Sequence, residues 1–202
     1  MPRESELKYL DVDLDVLRQR VKAAGGVFEG RWLETNKVFD DESGGLKRKE
    51  TLLRLRTCAG TSHGLLTMKR PVEEDSRLKV CDEHETQVLN TAQTEALLEG
   101  LGFRQSLVYQ KLRESWRMEG LLVCLDLLPF GTYAELEGEE PVVLEAAEAL
   151  GLDQYLSSKE TYYDIHARVR RAAGLPPKDS FVFDKDLLDA LLADLKIGRP
   201  TG

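Results

Sequence analysis

Five stretches of the chain place charged side chains two residues apart: Glu4, Glu6 and Lys8 in ESELK, Arg54 and Arg56 in LRLR, Glu83 and Glu85 in EHE, Lys111 and Arg113 in KLR, and Glu135 and Glu137 in AELEG. Lys69 and Asp126 add single charges in segments of the same character. On a β-strand successive side chains point to opposite faces, so each charged set shares one face. Leu53, Leu55, Leu112, Val123, Leu125, Ala134 and Leu136 then fall on the other face. A single strand of this kind describes an ordinary solvated surface, but its recurrence implies one surface that gathers acids and bases together. Lysine and arginine clamp phosphoryl oxygens, arginine in bidentate fashion. Clustered carboxylates call for a hard divalent cation, Mg²⁺ or Mn²⁺, which prefers oxygen ligands. Both kinds of group on one surface suit a metal-bound polyphosphate.

The elements that must position these residues follow in chain order. ESELKYLDV alternates as a strand and leads to Asp13, an N-cap for a helix carrying Leu14, Leu17, Val21 and Ala24, stopped by Gly25 and Gly26. VFEGRWLETNKVFDD is the next strand, and DESGGLKRKE reads as an exposed hairpin loop. TLLRLRTC and HGLLTMKR flank the turn AGTS, with Pro71 ending the second. PVEEDS reads as a loop, RLKVCDEHETQVL as a strand, and a short helix starts at Thr91. SLVYQKLRESWRM, GLLVCLDLLP and TYAELEG bring the total to about eight strands. Helices are expected over PVVLEAAEALGL, KETYYDIHARVRRAAG and FDKDLLDALLADLKIG, the last carrying Leu187, Leu188, Leu191, Leu192 and Leu195.

Sequential strands with short turns favour an antiparallel sheet, and closure into a barrel removes its exposed edges. Charge then either faces bulk water or lines the interior under a coat of helices. The number of apolar helical faces favours the interior. Buried like charges are costly without a partner, so a charged interior implies ligands that neutralise it. The expected fold is α+β: a closed eight-stranded antiparallel tunnel with helices outside, over residues 1–171, and a C-terminal helical extension over 172–202 serving packing or homodimer formation.

Composition narrows the function classes. A chain of 202 residues with 42% hydrophobic and 32% charged residues suits one ordinary globular core. No apolar run approaches the roughly 18 residues that span a bilayer, and MPRESELKYL lacks a signal-peptide core. A cytoplasmic protein without a membrane partner is expected. The net charge of −8 disfavours nucleic acid as the main partner. Cys58, Cys81 and Cys124 lack zinc or disulfide spacing and read as reduced, mostly buried thiols. His63, His84 and His166 lack metal-ligand spacing, Trp32 and Trp116 read as packing residues, and Lys47, Arg48 and Lys49 as a solvated loop tip.

The ordered set E-S-E-L-K, L-R-L-R, T-M-K-R-P, E-H-E, K-L-R, L-D and A-E-L-E-G resembles the CYTH superfamily, the triphosphate tunnel proteins, over roughly residues 4–165. The superfamily includes class IV adenylyl cyclases, thiamine triphosphatases and inorganic triphosphatases, and the layout is most similar to its bacterial and archaeal cyclase-like branch. The resemblance implies that Glu4, Glu6, Glu135 and Glu137 hold the metals, with Glu83, Glu85 and Asp126 as further metal or water-positioning carboxylates. Lys8, Arg54, Arg56, Lys69, Lys111 and Arg113 are then phosphate contacts, and Lys159, in the helix after the barrel, closes the site. Glu4, Glu6, Lys8, Asp126, Glu135 and Glu137 form the implied catalytic set. Cys81 stands where many relatives carry arginine, and Lys79 on the same face compensates. The implied reaction is metal-dependent hydrolysis of inorganic triphosphate, ATP or thiamine triphosphate. The alternatives are cyclisation of ATP to cyclic AMP and pyrophosphate, or polyphosphate or nucleotide binding without catalysis.

Overall fold

Charged rows on separate strands share one cavity only if the sheet curls until its edges meet, and it does. The computed structural model describes residues 3–72 and 75–196. In chain order the elements are β1 (Arg3–Leu10), α1 (Leu14–Ala23), β2 (Val27–Asp41), α2 (Gly45–Arg48), β3 (Leu52–Cys58), β4 (Gly64–Pro71), β5 (Lys79–Val88), α3 (Thr91–Gly100), β6 (Phe103–Met118), β7 (Leu121–Leu128), β8 (Gly131–Gly138), α4 (Glu140–Ala149), β9 (Ser157–Ser158), α5 (Tyr162–Ala172) and α6 (Lys185–Asp194). The ring runs β1-β5-β4-β3-β2-β6-β7-β8 and returns to β1, antiparallel throughout. It is the expected closed eight-stranded barrel, with the two-residue β9 added beside β1. Closure between β1 and β5 rests on the pairs from Arg3↔Asp82 to Glu6↔Lys79.

Register decides which charges meet. Lys8 lies opposite Glu135, Arg113 opposite Asp126, Lys111 opposite Glu34, Arg56 opposite Asn36, Arg54 opposite Thr67, and Lys69 opposite Glu83. The intervening residues face outward under the helices. Leu7, Tyr9, Val123, Leu125, Ala134 and Leu136 pack with Leu17 and Val21 of α1 and Val143 and Ala147 of α4. Leu98 of α3 covers Phe39 and Leu55, and Leu191 and Leu192 of α6 cover Leu33 and Leu112. The apolar core therefore lies outside the barrel, where each fully buried leucine contributes about 2 kcal/mol.

Several local expectations change. DESGGLKRKE is not an open hairpin loop: the Asp40 carboxylate accepts the Leu46 and Lys47 amides at 2.8 and 3.1 Å and sets the short helix α2. The helix α5 starts at Tyr162 because Thr161 and Asp164 form a reciprocal capping box, which leaves Lys159 in the preceding segment. β6 begins at Phe103, before Ser106, because β2 is long enough to pair with it. The expected loop at PVEEDS includes Glu73 and Glu74, and the end of the last expected helix reaches past 196; both lie outside the described residues.

β6 outruns its other neighbour. β7 pairs with it only from Leu112 onward, which leaves the preceding residues as a bare edge. The segment before α6 covers part of that edge: Phe181 N–H donates to the Val108 carbonyl at 3.1 Å, and Gln110 N–H donates to the Phe181 carbonyl at 3.0 Å. Ser180 Oγ accepts the Val108 amide at 3.0 Å. No helix among the described residues is long and apolar enough to cross a membrane.

Because Leu136 is fully buried between barrel and helices, Leu136→Ala should lower unfolding free energy by about 2–5 kcal/mol. Urea denaturation should show an earlier midpoint at unchanged slope, and a loss below about 1 kcal/mol would contradict an outward-lying core.

Candidate active site inside the barrel

The inward rows form a cavity of about 880 Å³. Its most buried part is a continuous charge network on β1, β6, β7 and β8. Asp126, with no exposed surface, accepts Arg113 Nε at 2.8 Å and Nη2 at 2.6 Å, Lys111 Nζ at 2.9 Å and the Tyr162 hydroxyl at 2.9 Å. Arg113 also donates to Glu135, whose other oxygen lies 2.8 Å from Lys8 Nζ. The Tyr162 ring lies beneath both ammonium groups, 4.6 Å from Lys8 and 5.3 Å from Lys111. Burial opposes ionisation of Glu135, but Lys8, Lys111 and Arg113 outweigh it and hold the carboxyl well below its usual range.

A second acid group stands at the β1–β8 side. Glu4, Glu6 and Glu137 each offer a carboxylate oxygen, all within 4.8 Å of one another. Burial disfavours the charged form of Glu6, yet Lys8 and Lys79 hold it at about 2. Lys79 Nζ donates to Glu6 at 3.0 Å, from the strand where Cys81 sits. Glu137 goes the other way. Burial pushes it up to about 7, with Glu4, Glu135 and Glu6 adding to the rise and Arg113, whose Nη1 lies 3.6 Å away, opposing it. Three carboxyls drawn together, of which Glu137 lacks enough positive charge nearby, form an oxygen-only donor set that fits a hard divalent cation.

Across the cavity, the phosphate-contact candidates are partnered unequally. Lys69 contacts Glu4 and lies 3.4 Å from Glu83. Burial raises the Glu83 carboxyl pKa, Lys69 opposes the rise, and Glu4 and Glu85 add to it. Glu85 accepts the Thr67 hydroxyl at 2.8 Å. Arg56 lies 3.2 Å from Glu34 and donates to Asn36 at 3.0 Å. Arg54 differs. It is buried, its Nη groups reach only the hydroxyls of Tyr109 and Thr67, both at 3.3 Å, and its Nε has no partner. Among the described residues it makes no ion pair with a carboxylate.

The structure thus brings Glu4, Glu6, Lys8, Arg54, Arg56, Lys69, Glu83, Glu85, Lys111, Arg113, Glu135 and Glu137 to one cavity. Asp126 sits behind it, its oxygens occupied by Arg113, Lys111 and Tyr162. Lys159 lines the cavity from the segment between β9 and α5, where its ammonium meets the Ser76 carbonyl, and not from a helix. Sequence reading missed Glu34, which is fully buried beside Arg56 and accepts Trp32 Nε1 at 3.1 Å. Arg56 and Lys111 keep it ionised against its burial. Its signal was the even-numbered parity of Trp32, Glu34 and Asn36 in RWLETN, without a second like charge to mark it. Tyr109 and Tyr162 were also missed. All three thiols are free, and burial pushes Cys124 up to about 12 and Cys58 to about 11. His166 is buried against Phe130 and Phe181, away from the charged rows.

A family model described as CYTH domain matches residues 2–172. The chain belongs to the CYTH family. Among solved structures, this CYTH protein is similar to the PH1012 protein of Pyrococcus horikoshii, at 21% identity and a TM-score of 0.67, over 79% of this chain and 96% of that one. A Vibrio parahaemolyticus protein described as a candidate adenylate cyclase gives 20% identity and a TM-score of 0.67, over 81% and 97%. HpAC1 from Hippeastrum, a candidate adenylyl cyclase described as having a dominant triphosphatase activity, gives 19% identity and a TM-score of 0.61, over 88% and 98%. At these identities the likeness establishes the shared fold. No curated protein matches the chain at a significant level.

Removing the acid at the centre of the network takes a carboxylate partner from two buried cations, Lys111 and Arg113. Asp126→Ala should therefore cost about 3–5 kcal/mol of unfolding free energy, whereas Tyr162→Phe, which keeps the ring beneath Lys8, should cost about 1 kcal/mol. Chemical denaturation of both variants measures the gap, and equal small losses would show that Asp126 is not the anchor.

Proposed function

We propose that this CYTH protein is a divalent-metal-dependent triphosphatase, acting on inorganic triphosphate or an organic triphosphate such as ATP or thiamine triphosphate inside the charged barrel. The observation that carries the reading is Arg54, a buried guanidinium that among the described residues makes no ion pair with a carboxylate, in a cavity whose other arginines are paired. A buried cation left in this state asks for an anion from outside. The catalytic assignments rest on the same geometry.

Glu4, Glu6 and Glu137 are the carboxylates that would hold Mg²⁺ or Mn²⁺, which on binding neutralises phosphoryl charge and acidifies a coordinated water. Glu6 needs no help to stay ionised, whereas Glu137 must release a proton first. Arg54 and Arg56 line the same cavity, Lys69 contacts Glu4 of this group, and all three supply donors for non-bridging phosphoryl oxygens. Lys8 and Arg113 join the buried network to this group: each is bound to Glu135 and lies within reach of a carboxylate of the proposed metal group. Because Asp126 and Glu135 fix these cations before any ligand arrives, the phosphate chain meets a field that is already oriented. In-line attack by water on the terminal phosphorus then needs positioning and charge stabilisation from the protein, without a covalent intermediate.

Three measurements test this reading. Incubation with inorganic triphosphate, ATP and thiamine triphosphate plus Mg²⁺ or Mn²⁺ should release orthophosphate; cyclic AMP with pyrophosphate would favour cyclisation, and no product at all would refute catalysis. Arg54→Met should weaken triphosphate binding about tenfold or more, since hydrogen bonds to charged groups are worth about 1.5–3 kcal/mol, while leaving unfolding free energy equal or higher because no acid loses its partner. Mg²⁺ affinity should depend on Glu137: the proton that occupies it below about 7 competes with the ion, so titration calorimetry should show affinity rising up to about tenfold per pH unit towards neutrality and levelling above it. Glu137→Gln should flatten that dependence, and a dependence unchanged in the variant would remove Glu137 from the metal group.

A further inference from the structure

The inward rows do not stay charged along their whole length. Two residues beyond Asn36 the inward position of β2 is Val38, two before Arg54 that of β3 is Leu52, and two before Tyr109 that of β6 is Leu107. Val38 pairs with both Arg54 and Leu107 across the ladders, so these apolar side chains are neighbours at one end of the cavity. They are half-buried and line the same 880 Å³ space as the charged rows. An apolar lining next to a phosphate clamp has no use for phosphate.

Part of the wall beyond these residues comes from outside the family match, which ends at residue 172. The segment held to the edge of β6 places Phe181 against Tyr109, ring centroids 5.1 Å apart and nearly parallel, and Tyr109 is the residue whose hydroxyl receives Arg54. Two residues earlier, Asp179 accepts the Tyr163 hydroxyl at 2.8 Å. Lys47 from α2 donates to that hydroxyl at 3.1 Å and lies 4.7 Å above the Tyr163 ring. Lys47, Tyr163 and Asp179 all line the cavity. Tyr163 is therefore held from two sides at the mouth, and Asp179 keeps acceptor capacity beyond the one bond it makes. The volume also exceeds the need of a bare phosphate chain, lying near the upper end of the roughly 300–1,000 Å³ that encloses a drug-sized ligand.

We infer that residues 179–181 of the C-terminal segment, with Tyr163 and the apolar ends of β2, β3 and β6, form a pocket for the heteroaromatic group of an organic triphosphate. The inference rests on the triphosphate reading and names its substrate class. The phosphates lie along Arg54 and the charged rows; the ring enters over Val38, Leu52 and Leu107, packs against Tyr163, and presents an N–H donor to Asp179. The extension, on this view, converts a general phosphate tunnel into one that reads what the phosphates are attached to.

The test compares binding of ATP, thiamine triphosphate and inorganic triphosphate by calorimetry, with Ca²⁺ in place of Mg²⁺ to keep turnover low, for the wild type, Tyr163→Ala and Asp179→Ala. Asp179 is exposed and Tyr163 half-buried, so both variants should fold, which circular dichroism checks. For at least one organic triphosphate both variants should bind about fivefold or more weakly, the scale of one aromatic contact, with inorganic triphosphate held within about twofold. Equal weakening of all three ligands, or no change for any, overturns the pocket. A wild-type chain that binds none of the three refutes both readings. One that binds them without releasing product under Mg²⁺ refutes hydrolysis alone, and the variant comparison still decides the pocket.

Discussion

Everything in this barrel depends on the contact between Asp126 and Arg113. An arginine and a carboxylate removed from water recover their hydration only through close, directed pairing, and here the guanidinium meets both carboxylate oxygens. Lys111 and the Tyr162 hydroxyl complete the acid, and Glu135 takes the remaining reach of Arg113 and passes it to Lys8. Such a network stabilises the fold little by itself. It orients side chains at the cost of desolvation, which the apolar contacts outside the barrel must offset.

That division of labour explains the inside-out character of the molecule. In most sheets the apolar face looks inward and polar residues meet water. Here α1, α3, α4 and α6 bring the apolar surface that the outer faces require, and the interior is left to charge. The arrangement is tolerable because nearly every interior charge has a protein partner. The exceptions then carry the meaning: among the described residues Arg54 has no acid in ion-pair contact, and Glu137 lacks enough base. One imbalance is positive and one negative, and both face the same cavity.

How much of this could be read in the sequence follows from what alternation encodes. Period-two charge assigned Glu4, Glu6, Arg54, Arg56, Lys111, Arg113, Glu135 and Glu137 to one side of a curled sheet, and the helices that follow assigned that side to the interior. Alternation does not encode register. Whether Asp126 faces the cavity or is taken up by Arg113 depends on which residue of β7 lies opposite β6, and that offset is set by the Glu119–Gly120 turn and the strand twist. Glu34 escaped because a lone acid between two neutral residues has no period of its own. Lys159 was drawn into a helix by the run that follows it, although the Thr161–Asp164 capping box marks the true start. The edge pairing of Phe181 was unreadable because it exists only where β6 extends past β7.

The seam between β1 and β5 completes the ring that the other strand pairs leave open. Its paired residues lie more than seventy positions apart in the chain, from Glu6↔Lys79 to Arg3↔Asp82, and the β1–β8 pairs lie farther apart still, so both joins of β1 close long loops. Until the seam closes, Glu4, Glu6 and Lys8 are separated from Lys69, Lys79 and Glu83 on the other side of the break. Any ligand that spans the seam acts as a clasp on the finished ring, biasing the chain against opening by mass action.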